Sequence, residues 1–83
     1  MSTKLFVGSL PWSVDDELLK ETFQSHGKVI SAKVVKDRET GRSRGFGFVE
    51  MEDSTDAKNA IEALNESELK GRNIVVNEAK SRN

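Results

Sequence analysis

The chain has no cysteine, so neither a disulfide nor a thiolate metal site is open to it. That absence fits a reducing compartment, and a cytosolic location is the expectation. A single histidine, His26, has no evident carboxylate partner along the sequence, and the acidic residues fall on what read as solvated helix faces. Without a nucleophile, a base and an orienting group, an enzyme is not expected, nor is a metal or another cofactor. No apolar run approaches the ~20 residues of a membrane-spanning helix. Met1-Ser2-Thr3-Lys4 lacks the apolar core of a signal peptide, so no membrane partner is expected either. No repeat, low-complexity tract or linker interrupts residues 1–83, which read as one domain.

Against these absences stands a balance of 35% hydrophobic and 33% charged residues, enough to build a small core and too apolar for disorder. The formal net charge of −1 hides a segregation. Segments 13–26 and 53–66, both read as helical, each hold four acidic residues and one lysine. The remainder holds eleven basic against six acidic residues, a surplus of five positive charges. An anion is therefore drawn to the non-helical part of the chain.

The pattern predicts strands at about 4–8, 29–37, 45–51 and 74–79 and helices at about 14–26 and 54–65. Ser13 with Asp16 three residues on suggests a capping box, and Gly27 a stop. Asp53 or Ser54 caps the second helix, whose Ala57, Ala60, Ile61 and Leu64 form a clean i, i+3, i+4, i+7 stripe. Arg38 to Ser43 reads as a hairpin loop with Gly41 supplying its turn. A short extended piece near Leu69 and a turn at Gly71-Arg72 precede the last strand. The order is the α+β split βαβ arrangement, βαββαβ, ferredoxin-like: a four-stranded antiparallel sheet with two helices on one face. Its other face is left uncovered.

Side-chain parity decides what lies on that face. In Arg44-Gly45-Phe46-Gly47-Phe48-Val49-Glu50-Met51, residues Arg44, Phe46, Phe48 and Glu50 share one side, and Gly45, Gly47, Val49 and Met51 the other. Turning the phenylalanines inward buries two charges as well, at a cost of several kcal/mol. The phenylalanines therefore face outward, above glycines expected to let the helices approach. In the first strand Leu5 and Val7 point inward and Phe6 outward, with Lys4 expected to lie clear of it. In the second, Ala32 and Val34 take one side, Lys33 and Val35 the other, and Val35 is a candidate RNA contact there. Three outward phenylalanines on neighbouring strands form a platform for the π-faces of unpaired bases, each stack worth ~1–3 kcal/mol. Lys33, Arg38, Arg42, Arg44, Lys80 and Arg82 are the candidate phosphate ligands, with Lys4 on the same side.

Arg44 to Met51 resembles the octamer of the RNA recognition motif, agreeing at seven of its eight positions. Leu5-Phe6-Val7-Gly8-Ser9-Leu10 resembles the companion hexamer, with serine where asparagine is common. The chain is similar to the small bacterial members of that family and to the RNA-binding part of plant glycine-rich proteins. The resemblance implies a monomer that binds single-stranded RNA and acts in post-transcriptional regulation. It implies that Phe6 and Phe46 stack successive bases, that Phe48 packs against sugars and that Arg44 pairs with a phosphate. Groups near Asn77, Glu78 and Ala79 are implied to read base edges. Met51, replacing an aromatic, has inward parity and touches the core alone. Glu50 and Glu78 are expected to place negative charge near the binding side. Trp12 is open to two uses, packing at the sheet's edge or contacting RNA. Two alternatives stand beside RNA: single-stranded DNA, which stacks equally well, and a protein partner on the acidic helix face of Asp15, Asp16, Glu17 and Glu21.

Overall fold

The computed structural model describes residues 2–79, with the backbone alone at Ser43 and Arg44. Along the chain run β1 (Thr3–Gly8), α1 (Asp16–Gln24), β2 (Val29–Lys36), β3 (Ser43–Met51) and α2 (Ser54–Leu64). The hairpin strands β4 (Glu68–Leu69) and β5 (Arg72–Asn73) follow, and then β6 (Val75–Glu78). The main sheet has the order β2-β3-β1-β6 with every neighbouring pair antiparallel. This is the ferredoxin-like βαββαβ fold, with the motif-bearing strands β1 and β3 at the centre.

The core lies between the sheet and the helices. Leu5, Val7, Val34, Val49, Met51 and Val76 supply it from the sheet, and Leu19, Phe23, Ala57 and Ala60 from the helices, all buried. Helix α1 packs on β2 and β3, and α2 on β1 and β6. Parity along β1 and β3 is as expected: Leu5, Val7, Val49 and Met51 are buried, and the phenylalanines between them are not.

The start of α1 differs from expectation. The helix begins two residues late, and Asp15, not Ser13, is its N-cap, its Oδ1 accepting from the Leu18 N–H at 2.8 Å. The delay follows from Val14, which is buried in the core and anchors the turn closed by its N–H to the Pro11 carbonyl at 3.2 Å. Asp16 is thereby freed for another task. Its Oδ1 accepts from the Val34 N–H at 2.7 Å, covering the outer edge of β2. The other edge is treated alike: Asn65 Oδ1 accepts from the Val76 N–H of β6 at 3.0 Å. Helix α2 is capped by Asp53, as anticipated.

Gly47 of β3 serves a different purpose from the one expected of it. A Cβ at Gly47 would stand 2.5 Å from the Lys33 carbonyl oxygen and 3.0 Å from the Val34 Cα, so glycine there admits the irregular strand β2, not a helix. The β4–β5 turn is Lys70-Gly71, one residue earlier than predicted, with positive φ at both positions as a two-residue type I′ hairpin requires.

Candidate nucleic-acid interface

Phe6, Phe46 and Phe48 meet on the helix-free face. Ring centroids are 5.8 Å apart for Phe6–Phe46, 5.8 Å for Phe6–Phe48 and 6.3 Å for Phe46–Phe48. Register brings them together: Phe6 pairs with Phe48, and Gly8 with Phe46, across β1 and β3. The rings lean on one another and are half-buried, so the cluster keeps its shape without a ligand. Gly8 is part of the arrangement, because a Cβ there would stand 2.9 Å from Phe6 Cε2. The Phe6 ring lies over the bare glycine, which is buried beneath it.

Around the rings the sheet supplies polar groups. The Lys4 Nζ is 5.4 Å from the Phe48 centroid, a cation–π contact that sets it at the edge of the platform. Lys33 pairs with Phe48 from β2, and Asn77 with Phe6 from β6, both exposed. Val35, Lys33, Lys4, Phe48 and Glu50 line a shallow depression of about 580 Å³ on the β2 side. Glu50 is half-buried there and accepts from the Ser2 hydroxyl at 2.6 Å. Ala79 is half-buried, and its N–H is committed to the Lys4 carbonyl at 2.8 Å, which leaves Asn77 as the side chain of that segment with polar atoms facing the platform.

Other candidates lie elsewhere. Arg38 is exposed in the β2–β3 loop, beyond the platform's rim. Arg42 stacks on Trp12. The Arg44 side chain, Lys80 and Arg82 lie outside the described residues. Glu78 pairs with Leu5 and so shares the helix side, away from the platform where the sequence had set it. Val75, 37% exposed and paired with Gly8, extends the apolar face toward β6. Its alternation with buried Val76 was the available signal for it.

Comparison with known proteins gives a consistent result. The family model for the RNA recognition motif matches residues 5–75. A glycine-rich RNA-binding protein of Daucus carota is 52% identical over 79 residues, covering 95% of this chain and 50% of that protein. The chloroplastic 28 kDa ribonucleoprotein of Spinacia oleracea is 53% identical over 81 residues, covering 98% of this chain and 35% of its own length. The chain thus spans half or less of the curated relatives it matches. Among solved structures, RNA binding protein PG1 superposes with a TM-score of 0.92 at 52% identity, 98% of each chain being covered. A Sxl-lethal protein/RNA complex superposes with a TM-score of 0.88 at 33% identity, over 93% of this chain and 47% of that one.

Proposed function

The chain belongs to the RNA recognition motif family, and on that footing we propose that it binds single-stranded RNA by stacking unpaired bases on its sheet. Phe6 and Phe46 take successive bases, and Phe48 packs against the sugars between them. Lys4 and Lys33 hold phosphates at the platform's rim, and Asn77 offers donors and an acceptor to a base edge beside Phe6. One observation carries this reading: three aromatic rings within 6.3 Å of each other on the face that no helix covers. A duplex keeps its bases stacked internally, whereas an unpaired strand can lay them on such a surface. Two or three stacks, less the cost of association, correspond to a dissociation constant on the micromolar scale.

On the rival acidic helix face two of the four carboxylates already have partners within the domain. Asp15 caps α1 and Asp16 holds the edge of β2, so Glu17 and Glu21 remain as its free carboxylates. The two covered sheet edges support a monomer, because neither strand offers a free ladder at these positions to a second chain. Titrating Phe46→Ala and Phe48→Ala variants with short RNA tests the platform. Each truncation is expected to weaken binding by roughly 5- to 100-fold with the circular dichroism spectrum retained. Unchanged affinity in a folded double variant rules the platform out. The same titration with DNA of equal sequence separates the two polymers.

A further inference from the structure

Trp12 is 73% exposed, the largest exposure of any large apolar side chain among the described residues. Tryptophan joins a large apolar face to a polar N–H, a combination suited to ligand contact at the end of the platform. Its place is well defined. The Leu10 N–H donates to the Gly45 carbonyl at 2.8 Å and ties the β1–α1 connection to the head of β3. Buried Val14 anchors the connection's far end. From the opposite side, the β2–β3 loop is closed by the Asp37 N–H to the Arg42 carbonyl at 2.7 Å and by the Gly41 N–H to the Asp37 carbonyl at 2.8 Å. That loop brings the Arg42 guanidinium carbon to 5.7 Å from the indole centroid.

Between the two connections lies a cleft of about 330 Å³ whose lining includes Trp12, Lys36, Arg42 and Asp15. Asp15 is held at the cleft's helix side by capping α1, so the lining carries two cations against one carboxylate. Gly8 pairs with Phe46 and Lys36 with Ser43, which sets the cleft just past the Phe46 end of the platform. An apolar π-face flanked by two cations and continuous with an aromatic platform suits a nucleotide better than a peptide.

We infer that Trp12 is a further base-stacking site, taking a nucleotide that runs off the platform past Phe46 while Lys36 and Arg42 hold its phosphate. The site rests on the platform reading and lengthens the strand it accommodates. Arg42 orders the indole beforehand, so less rotamer freedom is lost on binding.

Two probes separate the claims: a tetranucleotide, long enough for the platform, and an octanucleotide, long enough for both sites, each as oligouridylate and oligoadenylate. Trp12→Ala is expected to weaken octanucleotide binding by about 5- to 100-fold, the scale of one lost stack, and to leave the tetranucleotide unaffected. Trp12→Phe should restore most of the loss. Trp12 is also the one tryptophan of the chain, so its fluorescence should be quenched by the octanucleotide far more than by the tetranucleotide. Equal octanucleotide affinity for wild type and Trp12→Ala overturns the inference. Tetranucleotide affinity insensitive to Phe46→Ala overturns the platform reading instead, and the two results are read on different probes.

Discussion

Gly8 carries no side chain, and the Phe6 ring occupies the space one would fill. In a Gly8→Ala protein the new methyl would meet Phe6 Cε2 at 2.9 Å and Cζ at 3.3 Å, while Val75 Cβ stays at 3.9 Å. The ring is the movable partner, so it tilts away and the strand does not break. Alanine also removes the entropic cost of a glycine within a strand, about 0.5–1 kcal/mol. Stability and affinity are thus expected to part. Thermal unfolding of Gly8→Ala should match or exceed wild type, while RNA affinity falls by roughly 3- to 10-fold, a fraction of one stack. A drop in both together would mean that Gly8 serves the fold, and an unchanged affinity that the Phe6 orientation does not matter. Ser9, the next residue, has φ +57°, a region that asparagine tolerates better than serine. The common asparagine at that position of the hexamer therefore has a backbone reason, and serine here accepts a small cost.

At the scale of elements, helix α1 is joined to the edge of the sheet by one carboxylate. Asp16 Oδ1 satisfies the Val34 N–H that β2, as an outer strand, would otherwise present to solvent or to another chain. Asp16→Ala should cost about 1–2 kcal/mol. On a domain of this size that lowers the melting temperature by roughly 4–8 °C per kcal/mol. Asp16→Asn keeps an acceptor and should recover much of it. Hydrogen exchange at the Val34 amide is the direct check, since protection unchanged in Asp16→Ala would show that the bond contributes nothing. This bond also marks where sequence reasoning stops. Asp15 and Asp16 are adjacent acids before an apolar period, and local pattern cannot tell which one caps the helix when the other is recruited by a strand eighteen residues away. The phenylalanine platform was legible for the opposite reason. Charged Arg44 and Glu50 share its parity, so one energetic comparison orients the whole of β3. The partnership of Trp12 with Arg42 joins two loops, which carry no periodicity from which to infer a face.

Over the whole molecule a net charge of −1 coexists with a cationic binding side. Lys4 and Lys33 flank the platform and Lys36 and Arg42 the Trp12 cleft, four cations against Glu50 and Asp15, while Glu17 and Glu21 lie on helix α1. Such a molecule gains little long-range attraction for RNA, so association should fall in the unsteered range of about 10⁵–10⁶ M⁻¹s⁻¹. On the proposed mode, affinity rests on stacking, which salt does not screen, plus a few phosphate contacts, which it does. For single strands the slope of log K against log salt is about −0.7 per phosphate neutralised. Two contacts on the platform predict a slope of roughly −1.5 for the tetranucleotide, and four predict roughly −3 for the octanucleotide. Arg42→Ala should reduce the octanucleotide slope by about 0.7 and leave the tetranucleotide slope unaltered. Titrations across a tenfold range of salt measure both. A slope near zero would remove the lysines from the interface. One steeper than about −5 would make the interaction chiefly electrostatic, with the aromatic rings as bystanders.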